Sequence, residues 1–488
     1  MDASVIIVGA GPAGLVLAGE LRLAGIDVIV VERLSRRTGE SRGLGFTIRT
    51  TESLDQRGLL SRFGELDTST TRGHFGGVPL DLAVLGGAHP AARGIPQSVT
   101  ETVLEGWARE LGADIRRGQE FLSLQDTGEA VSVRVRAGDR ETTLTARYLV
   151  AADGGRSTVR KAAGFDFPGT EATTELLLAD IRGVDVAPRA TGQSLAGGMV
   201  MAAPLGDGLH RVIVGERGAL PGRRTGPPSF HEVADVWKRL TGGDISGADA
   251  VWVSAFTDAT RQASEYRRGR VLLTGDAAHI HLPAGGQGMN TSIQDSFNLG
   301  WKLAAVLRGT ASATLLDTYH SERHRVGRQL LADTRAQSLL ILGGDDVQPL
   351  RDVLSELLPY GEVARHLAAK VSGTDIRYDV GTGSHPLLGA RMPHLELTTR
   401  AGRTSSTALL RSGRGVLLDL TDNLWPRRRA ARWRDRIDVV TGAPHGSVPA
   451  GLTGTTAVLL RPDGYVAWAA PGSHHDLPTA LDRWFGPA

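Results

Sequence analysis

The sequence predicts an α/β protein in which a Rossmann-type dinucleotide-binding domain carries an inserted antiparallel-sheet domain and is followed by a third unit. Three observations predict this arrangement. A glycine-rich turn links two apolar strands near the start, short strands with Gly/Pro turns dominate residues 170–268, and a new series of strands begins near Gly389. A chain of 488 residues is too long for a single core, so several domains are expected.

Composition and charge argue against several classes of function. The 55 Lys and Arg residues nearly balance the 53 Asp and Glu residues, and a net charge of +2 argues against a nucleic-acid or membrane-surface partner. The absence of cysteine excludes a disulfide framework, a Cys metal site and a thiol nucleophile. No apolar run approaches the length of a membrane span and no signal-peptide pattern is present, so we expect a cytoplasmic protein.

The first element is a dinucleotide-binding fingerprint in its required context. A strand at Ser4–Val8 leads into the turn Gly9-Ala-Gly11-Pro12-Ala13-Gly14. A helix at Leu15–Leu23 and a second strand at Asp27–Val31 follow, and the strand ends on Glu32-Arg33. The pattern occurs once, which indicates one permanently bound dinucleotide.

Each glycine of the fingerprint is required by the geometry of the turn, and the acidic residue after the second strand by the ligand. Gly9 allows the tight turn, Gly11 lets the backbone approach a pyrophosphate, and Gly14 lets helix and strand pack closely. Glu32, 18 residues after Gly14, can accept hydrogen bonds from an adenosine ribose.

The most informative stretch runs from Arg267 to Leu303. A buried strand at Arg270–Thr274 ends in the turn Gly275-Asp276, which presents one carboxylate. The loop Pro283–Gly288 carries little side-chain bulk, and a helix follows from Met289. The loop amides and the positive helix N-terminus then point at the same place, which favours an anionic or electron-rich ligand.

Four separated motifs together resemble the single-component (class A) FAD monooxygenases. They are the fingerprint, the D-G-x-x-S-x-V-R string from Asp153, the GD turn with P-x-x-G-x-G-x-N, and D-x-x-N-L-x-W-K-L from Asp295. The chain is most similar to the aromatic polyketide hydroxylases of the angucycline type, in the phenol hydroxylase-like branch. The resemblance implies a para-hydroxybenzoate hydroxylase-like fold, with a Rossmann-type FAD-binding domain, an inserted antiparallel-sheet substrate domain and a thioredoxin-like C-terminal domain.

The resemblance also implies which residues hold non-covalent FAD. Asp276 matches the contact to the ribityl and phosphate region, Arg42 an arginine that reaches toward the flavin, and Gln97 a contact near the ribityl chain. The full set of implied cofactor-binding residues is Gly9, Gly11, Pro12, Ala13, Gly14, Glu32, Arg33, Arg42, Gln97, Leu122, Asp153, Asp276, Pro283, Gly286, Gly288, Met289 and Asn290.

Several assignments keep alternatives. Asp153 is either a pyrophosphate contact or the cap of a short helix starting near Ser157. Arg42 is either a flavin contact or a solvated loop residue. Six residues of the substrate domain are candidates for an aromatic pocket but are more typical of core or surface: His74, Phe75, Met199, Met201, His210 and Trp237. His320 and His324 are spaced like a metal pair, but no third ligand supports one, so we predict no metal.

The predicted domain boundaries follow the composition. Residues 1–72, 97–169 and 269–388 form the FAD-binding domain, residues 73–96 and 170–268 the substrate domain, and residues 389–488 the thioredoxin-like domain. We expect a helix at Glu101–Leu111 capped by Thr100 or Ser98, and another near Thr404–Leu410. Because the third domain has no thiol, it should carry no redox chemistry and be dispensable for the reaction. Its strands could bury surface against a second subunit, so a homodimer is one possible assembly.

The implied reaction is the hydroxylation of an aromatic polyketide in antibiotic biosynthesis. NADPH reduces FAD, and O₂ then gives a flavin hydroperoxide that attacks an electron-rich ring carbon. We expect an angucyclinone as substrate, oxidised at C-12, and we identify no acid–base residue. The alternatives are a Baeyer–Villiger or epoxidising enzyme, a simple phenol hydroxylase, and a non-enzymatic flavin-binding protein. A flavin-dependent halogenase is disfavoured because its W-x-W-x-I-P stretch is absent.

Overall fold

The computed structural model describes residues 1–64, 71–89, 91–222, 224 and 226–488. The α-helices are α1 (Pro12–Leu23), α2 (Ile48–Asp55), α3 (Gln97–Glu110), α4 (Thr158–Ala162), α5 (Phe230–Thr241), α6 (Gln287–Leu307), α7 (Leu315–Leu342), α8 (Gln348–Leu357), α9 (Gly361–Ser372), α10 (Leu424–Arg429) and α11 (Leu477–Phe485).

The strands fall into three groups along the chain. Before residue 160 they are β1 (Ala3–Val8), β2 (Val28–Glu32), β3 (Gly45–Phe46), β4 (Arg72–Phe75), β5 (Val78–Asp81), β6 (Arg93–Gly94), β7 (Asp114–Arg117), β8 (Glu120–Asp126), β9 (Val131–Ala137) and β10 (Arg140–Ala151). The middle group is β11 (Gly169–Thr170), β12 (Glu175–Arg182), β13 (Arg189–Leu195), β14 (Gly198–Gly206), β15 (Leu209–Glu216), β16 (Asp249–Thr257), β17 (Thr260–Gln262), β18 (Arg267–Arg268), β19 (Val271–Leu273) and β20 (His279–Ile280). The last group is β21 (Glu396–Thr399), β22 (Gly402–Ser405), β23 (Gly415–Asp419), β24 (Ile437–Pro444), β25 (Ala457–Leu460) and β26 (Val466–Ala470).

The first domain is built on a sheet whose central strands are parallel, in the order β19-β10-β1-β2-β7. β1 lies in the middle, with Val5 opposite Tyr148 of β10 and Val28 of β2. Helices cover both faces of such a sheet, which explains why β1 is an unbroken apolar run. The predicted order of strand, turn, helix and strand is confirmed. Helix α1 begins at Pro12, earlier than predicted, because proline suits the first turn of a helix.

The second domain is a five-stranded antiparallel sheet in the order β13-β14-β15-β12-β16. Side chains alternate between its two faces. One face packs against α5 through an apolar cluster that includes Val200, Val212 and Trp237. The other face, with Leu176 and Met199, packs against the segment that follows β20. The sheet therefore stands over the loop before α6, which is the loop that the sequence indicated as the ligand site.

The excursion at residues 73–96 does not pair with that sheet. β4 and β5 form a separate hairpin that packs on α7 and α9 through Phe75 and Leu80, and β6 pairs with β3. The hairpin approaches the larger sheet at Gly77, which lies beside Gly192 of β13. Whether the excursion belongs to the substrate domain stays a prediction.

The third domain contains a six-stranded sheet in the order β22-β21-β24-β23-β25-β26. β23 and β24 run parallel, and the other neighbours are antiparallel. Its apolar residues Trp468, Trp484 and Phe485 belong to the same continuous core as Ile6 of the first domain. The two domains therefore share one core.

Two local predictions were wrong. Helix α3 begins at Gln97, directly after Pro96, and no side chain caps it; Ser98 instead bonds to Ser41. The predicted helix near Thr404–Leu410 is the strand β22 followed by a single 3₁₀ turn, because residues 402–405 pair with β21. In both cases a tertiary contact outweighed the local sequence signal.

Candidate cofactor site

The turn between β1 and α1 has the geometry of an anion cradle. Gly9 has a φ of 107°, and a Cβ there would collide with the carbonyl of Ala152. A Cβ on Gly14 would collide with the carbonyl of Gly9. A Cβ on Gly11 would meet nothing within 4 Å, so this side of the turn faces open space. Gly9 and Gly14 are thus required by packing, whereas Gly11 leaves room for a ligand at the helix N-terminus.

Glu32 shapes this turn from the end of β2. Its Oε2 accepts a hydrogen bond of 2.8 Å from the amide of Ala10, and its Oε1 accepts one of 2.8 Å from the amide of Leu34. A carboxylate can accept about four hydrogen bonds, so it retains capacity for a ribose hydroxyl. The neighbouring Arg33 is exposed.

Asp276 is exposed on the turn after β19. Its Oδ1 accepts a long hydrogen bond of 3.4 Å from the Ser292 hydroxyl. Gly275 has a φ of 60°, and its amide donates a hydrogen bond of 3.2 Å to Asp295 Oδ2. The turn is therefore anchored from below while the Asp276 carboxylate points outward.

Asp295 on α6 is the buried centre of this anchor. Its carboxylate lies 2.8 Å from His279 Nε2 and 2.5 Å from Arg323 Nε. Burial alone would raise the pKa of Asp295, but the charges of Arg323 and His279 outweigh it and lower the pKa. Arg323 also donates to the hydroxyl of Tyr378 at 2.9 Å. One carboxylate thus ties the GD turn, α6 and α7 together.

The loop before α6 is joined to the segment at residues 43–47. Asn290 is buried, its Oδ1 accepts from the amide of Thr47 at 2.9 Å, and its Nδ2 donates to the carbonyls of Gly45 and Gly286 at 3.0 and 2.8 Å. All these bonds use the side chain, so the Asn290 side chain is fully engaged in holding the loop. Gly286 has a φ of 66° and provides no side-chain cap, so the first amides of α6 stay available.

Met289 and Gln97 line the same segment. A Cβ on Gly43 would lie 3.1 Å from Met289 Sδ, and Gln97 Oε1 accepts from the amide of Gly43 at 3.1 Å. Arg42 is exposed next to them. The structure therefore brings the predicted residues Arg42, Gln97, Met289 and Asn290 to one place.

Two predicted residues have a different surrounding. Asp153 Oδ2 caps α4 by accepting from the amides of Thr158 at 2.7 Å and Val159 at 3.1 Å, and Oδ1 accepts from the Ser157 hydroxyl at 2.5 Å. Burial nevertheless raises the pKa of Asp153. The geometry matches the capping alternative. Leu122 is half-buried at a register shift between β8 and β9.

Comparison with known proteins decides what this cradle belongs to. Residues 2–334 match the family described as FAD binding domain, and residues 385–488 match the family described as aromatic-ring hydroxylase, C-terminal. The chain belongs to the FAD-dependent aromatic hydroxylases. This confirms the predicted family, fold and use of FAD.

Three relatives match over the whole chain. The structure of CabE, described as an aromatic hydroxylase from angucycline biosynthesis, is 62% identical with a TM-score of 0.97, and each chain is covered completely. The structure of BexE, from a study of oxidation during BE-7585A biosynthesis, is 65% identical with a TM-score of 0.95, again over 100% of both chains. Anhydrotetracycline monooxygenase of Streptomyces rimosus is 42% identical over 501 residues, covering 100% of this chain and 99% of its own.

The described residues fit FAD. Open space at Gly11, the outward carboxylate of Asp276 and the uncapped start of α6 provide groups for a pyrophosphate, a ribityl chain and an electron-rich ring edge. In the part of the chain that the structure describes, no cluster of three or more His, Asp and Glu side chains could hold a metal ion. Nor is any described helix long and apolar enough to cross a membrane.

Residues 281–288 are called the flavin loop below, and the face of the second-domain sheet that meets them forms an apolar wall in this hydroxylase. It packs against Leu282 and Ala284 and consists of Leu176, Met199, Met201, Ile213 and Phe256. Of the six candidates for an aromatic pocket, Met199 and Met201 lie here. Trp237 packs on the opposite face of the sheet, and Phe75 packs on α7 and α9. His74 Nδ1 accepts a hydrogen bond of 3.2 Å from the Gly77 amide.

A buried ion pair on this face was missed from the sequence. Arg211 donates to both oxygens of Asp180 at 2.7 and 2.8 Å, and its guanidinium lies 5.3 Å from the ring of Trp252. The remaining guanidinium nitrogen of Arg211, Nη1, donates to the carbonyl of Arg42 at 3.4 Å. Strand alternation would have placed Asp180 on the face of Leu176 and Leu178.

His281 was also missed, although it precedes the predicted Pro283. Its Nδ1 donates to the carbonyl of Leu282 at 2.6 Å, which leaves Nε2 as the acceptor. Burial lowers the pKa of His281 to about 4, so the ring is neutral near pH 7. Its Nε2 would lie 3.6 Å from a Cβ on Gly288. The flavin loop therefore carries one neutral imidazole.

A cavity of about 310 Å³ lies between α6, α7 and α9. It is lined on the inside by Thr47, Gln287, Asn290 and Gln294 and toward the surface by charged residues such as Arg325 and Lys370. None of the wall residues of the second-domain sheet lines it. It is thus separate from the apolar wall.

Proposed function

We propose that this hydroxylase oxidises a polycyclic aromatic polyketide of the angucyclinone type, at C-12, in antibiotic biosynthesis, with NADPH as the electron donor. The observation that carries the proposal is the apolar wall opposite the flavin loop. Leu176, Met199 and Phe256 can accept the face of a planar polycycle, whereas a small benzoate would require convergent cationic and hydroxyl groups. Full-length similarity to CabE, from angucycline biosynthesis, supports the same substrate class.

The chain's own residues would bind and orient the cofactor. The turn from Gly9 through Pro12 and Ala13 to Gly14 would hold the pyrophosphate, Glu32 the adenosine ribose and Asp276 the ribityl region. The backbone of Gly288, Met289 and Asn290 would face the flavin ring, with Arg42 and Gln97 beside it. When bound and reduced by a nicotinamide donor, FAD would activate O₂, so that one oxygen atom enters the aromatic ring and the other leaves as water.

Two features would serve the reaction itself. The sheet and the loop from Pro283 to Gly286 together exclude water from the face where oxygen is transferred, which limits wasteful side reactions. His281 offers a neutral acceptor at Nε2, which would orient a phenol hydroxyl. Because its pKa is about 4, it is a weak base near pH 7, so an acidic polycyclic phenol would ionise largely on its own.

Product analysis tests this function. The purified protein should be yellow, release FAD on denaturation, and convert an angucyclinone with NADPH under ¹⁸O₂ into a product that carries one ¹⁸O on a ring carbon. Label in a lactone oxygen would support Baeyer–Villiger oxidation instead. Efficient turnover of phenol or 4-hydroxybenzoate without any labelled angucyclinone product would overturn the substrate class.

The donor is tested separately. NADPH preference is supported by the family resemblance alone. Stopped-flow reduction of the flavin should be faster with NADPH than with NADH at equal concentrations, and equal rates would remove NADPH from the proposal.

A further inference from the structure

The turn between β25 and β26 lies inside the protein, although hairpin turns usually face solvent. Arg461 and Asp463 on this turn are 0% and 3% exposed. Burying two charged groups is tolerated only when they are paired and hydrogen-bonded. Arg461 donates to both oxygens of Asp463 at 3.1 and 2.5 Å, and the other side-chain partners of the two residues come from the FAD-binding domain.

The partners lie on α6 and α7. Arg461 donates to the two oxygens of Glu322 at 2.6 and 2.9 Å. Asp463 accepts from Trp301 Nε1 at 3.1 Å, and Glu322 accepts from Lys302 Nζ at 2.7 Å. Two positive and two negative side chains therefore balance in one buried cluster, which Asn298 completes by donating to Glu322 at 2.7 Å.

Each charge in this cluster is stabilised by the opposite charges of the other members, because burial disfavours the charged form of every one of them. Burial lowers the pKa of Lys302 to about 8. Burial alone would raise the pKa of Glu322, but the charges of Arg461 and Lys302 lower it to about 2. Without Arg461, three buried charges would remain with a net charge of −1.

The same helices hold the cofactor turn. The residue after Glu322 is Arg323, which binds Asp295, and Asp295 binds the amide of Gly275. Tyr378 joins the two networks, because its hydroxyl accepts from Arg323 while its ring lies 4.9 Å from the guanidinium of Arg461. The third domain thus contacts the layer of residues that anchors the GD turn.

We propose that Arg461 and Asp463 are positioning residues for FAD, so that the third domain completes the cofactor site from behind. The proposal rests on FAD as the cofactor and on the proposed role of Asp276. It replaces the expectation that the third domain is dispensable, which considered only its lack of thiols. Further ties support it: Arg57 of the first domain donates to the carbonyls of Leu410 and Pro462 at 2.5 and 3.0 Å.

The test is FAD affinity of the full-length apoprotein, measured by flavin fluorescence without substrate or NADPH. Arg461→Met should weaken FAD binding about tenfold and blur the visible bands of bound flavin. Arg461→Met combined with Glu322→Gln restores charge balance and should recover binding to within about threefold of wild type. Arg432→Met, at an exposed arginine of the same domain, should leave affinity unchanged.

A merely structural role would give a different result. If Arg461→Met lowers the melting temperature of the apoprotein but leaves the FAD dissociation constant within twofold of wild type, the proposal is wrong. Should that variant not fold, Arg461→Lys keeps the charge but loses the paired geometry. It should then weaken FAD about threefold, and wild-type affinity would overturn the proposal. Because no turnover is measured, an incorrect substrate class does not affect either result.

Discussion

The two sides of the flavin loop are built from opposite kinds of residue. Below the loop, α6 and α7 carry two networks of fully buried charges centred on Asp295 and Glu322. Above it, the second-domain sheet presents an apolar wall whose main charged feature is the pair of Arg211 and Asp180. A buried charged network holds its side chains in one arrangement, because each hydrogen bond requires a particular distance and direction. An apolar surface tolerates repacking. The contrast suits a fixed cofactor below and a variable substrate above.

The largest effect is expected from breaking the network below the loop. Asp295→Ala leaves Arg323 buried without its carboxylate, so the free energy of unfolding should fall by about 3–5 kcal/mol. Asp317→Ala, which removes an exposed partner of Arg267, should cost at most about 1 kcal/mol. Urea unfolding of the apoprotein measures both. Equal losses in the two variants would remove Asp295 as the centre of the anchor.

The second network should make the protein sensitive to acid. The pKa of Glu322 is about 2 in the folded protein against 4.5 as the reference, so its contribution is present above pH 4.5 and is lost as pH falls toward 2. The lost stability is about 3 kcal/mol. Glu322→Gln, though less stable throughout, should show a shallower decline of stability across this range. Parallel pH curves for the two proteins would contradict the assigned pKa.

Asp276 should affect the cofactor without affecting the fold. It is exposed, so Asp276→Ala should leave the unfolding free energy of the apoprotein nearly unchanged. Loss of a charge-assisted hydrogen bond should cost about 1.5–3 kcal/mol of FAD binding, or about 10- to 150-fold in affinity. Titration of the apoprotein with FAD measures this. Unaltered affinity would contradict the ribityl contact.

The lower side could be predicted from the sequence because its requirements are local. Gly9, Gly11 and Gly14 follow one strand at fixed spacing, and Gly275-Asp276 follows another. The carboxyl ends of parallel strands meet at one edge, so local motifs converge there without any knowledge of distant contacts. Asp295 opens a motif that the sequence identified, but its pairing with Arg323 depends on how α6 meets α7.

The upper side could not be predicted in the same way. Apolar residues in strands are equally consistent with the core and with a ligand wall. Only the sheet order decides that Met199 faces the loop while the next residue, Val200, faces α5 and its Trp237. The buried turn at Arg461 reads as an ordinary hairpin turn, because burial against another domain leaves no local signal. The start of α3 is a similar case. The helix begins directly after Pro96 without a side-chain cap, because Ser98, a predicted capping residue, bonds to Ser41 instead.

The smallest effect is expected from a conservative change in the wall. Met201 lies on the face toward the loop and is half-buried, so Met201→Leu keeps volume and should cost less than about 1.5 kcal/mol of stability. FAD affinity and the rate of flavin reduction by NADPH without substrate should equal those of wild type. The KM for an angucyclinone should change by about 3- to 10-fold, since one methylene-sized change in an apolar pocket is worth about 1–3 kcal/mol at most.

The control is Ala234→Gly on α5, behind the sheet, where a small change of packing cannot reach the substrate. If Met201→Leu and Ala234→Gly alter the KM equally, the sheet face toward the loop is not the substrate wall, and the contrast between the two sides fails. If only Met201→Leu alters the KM while both variants retain FAD, the wall selects the substrate independently of the charged anchor below. That separation is what the placement of Met199, Met201 and Phe256 on one face requires, because their apolar cluster includes no residue of the network around Asp295.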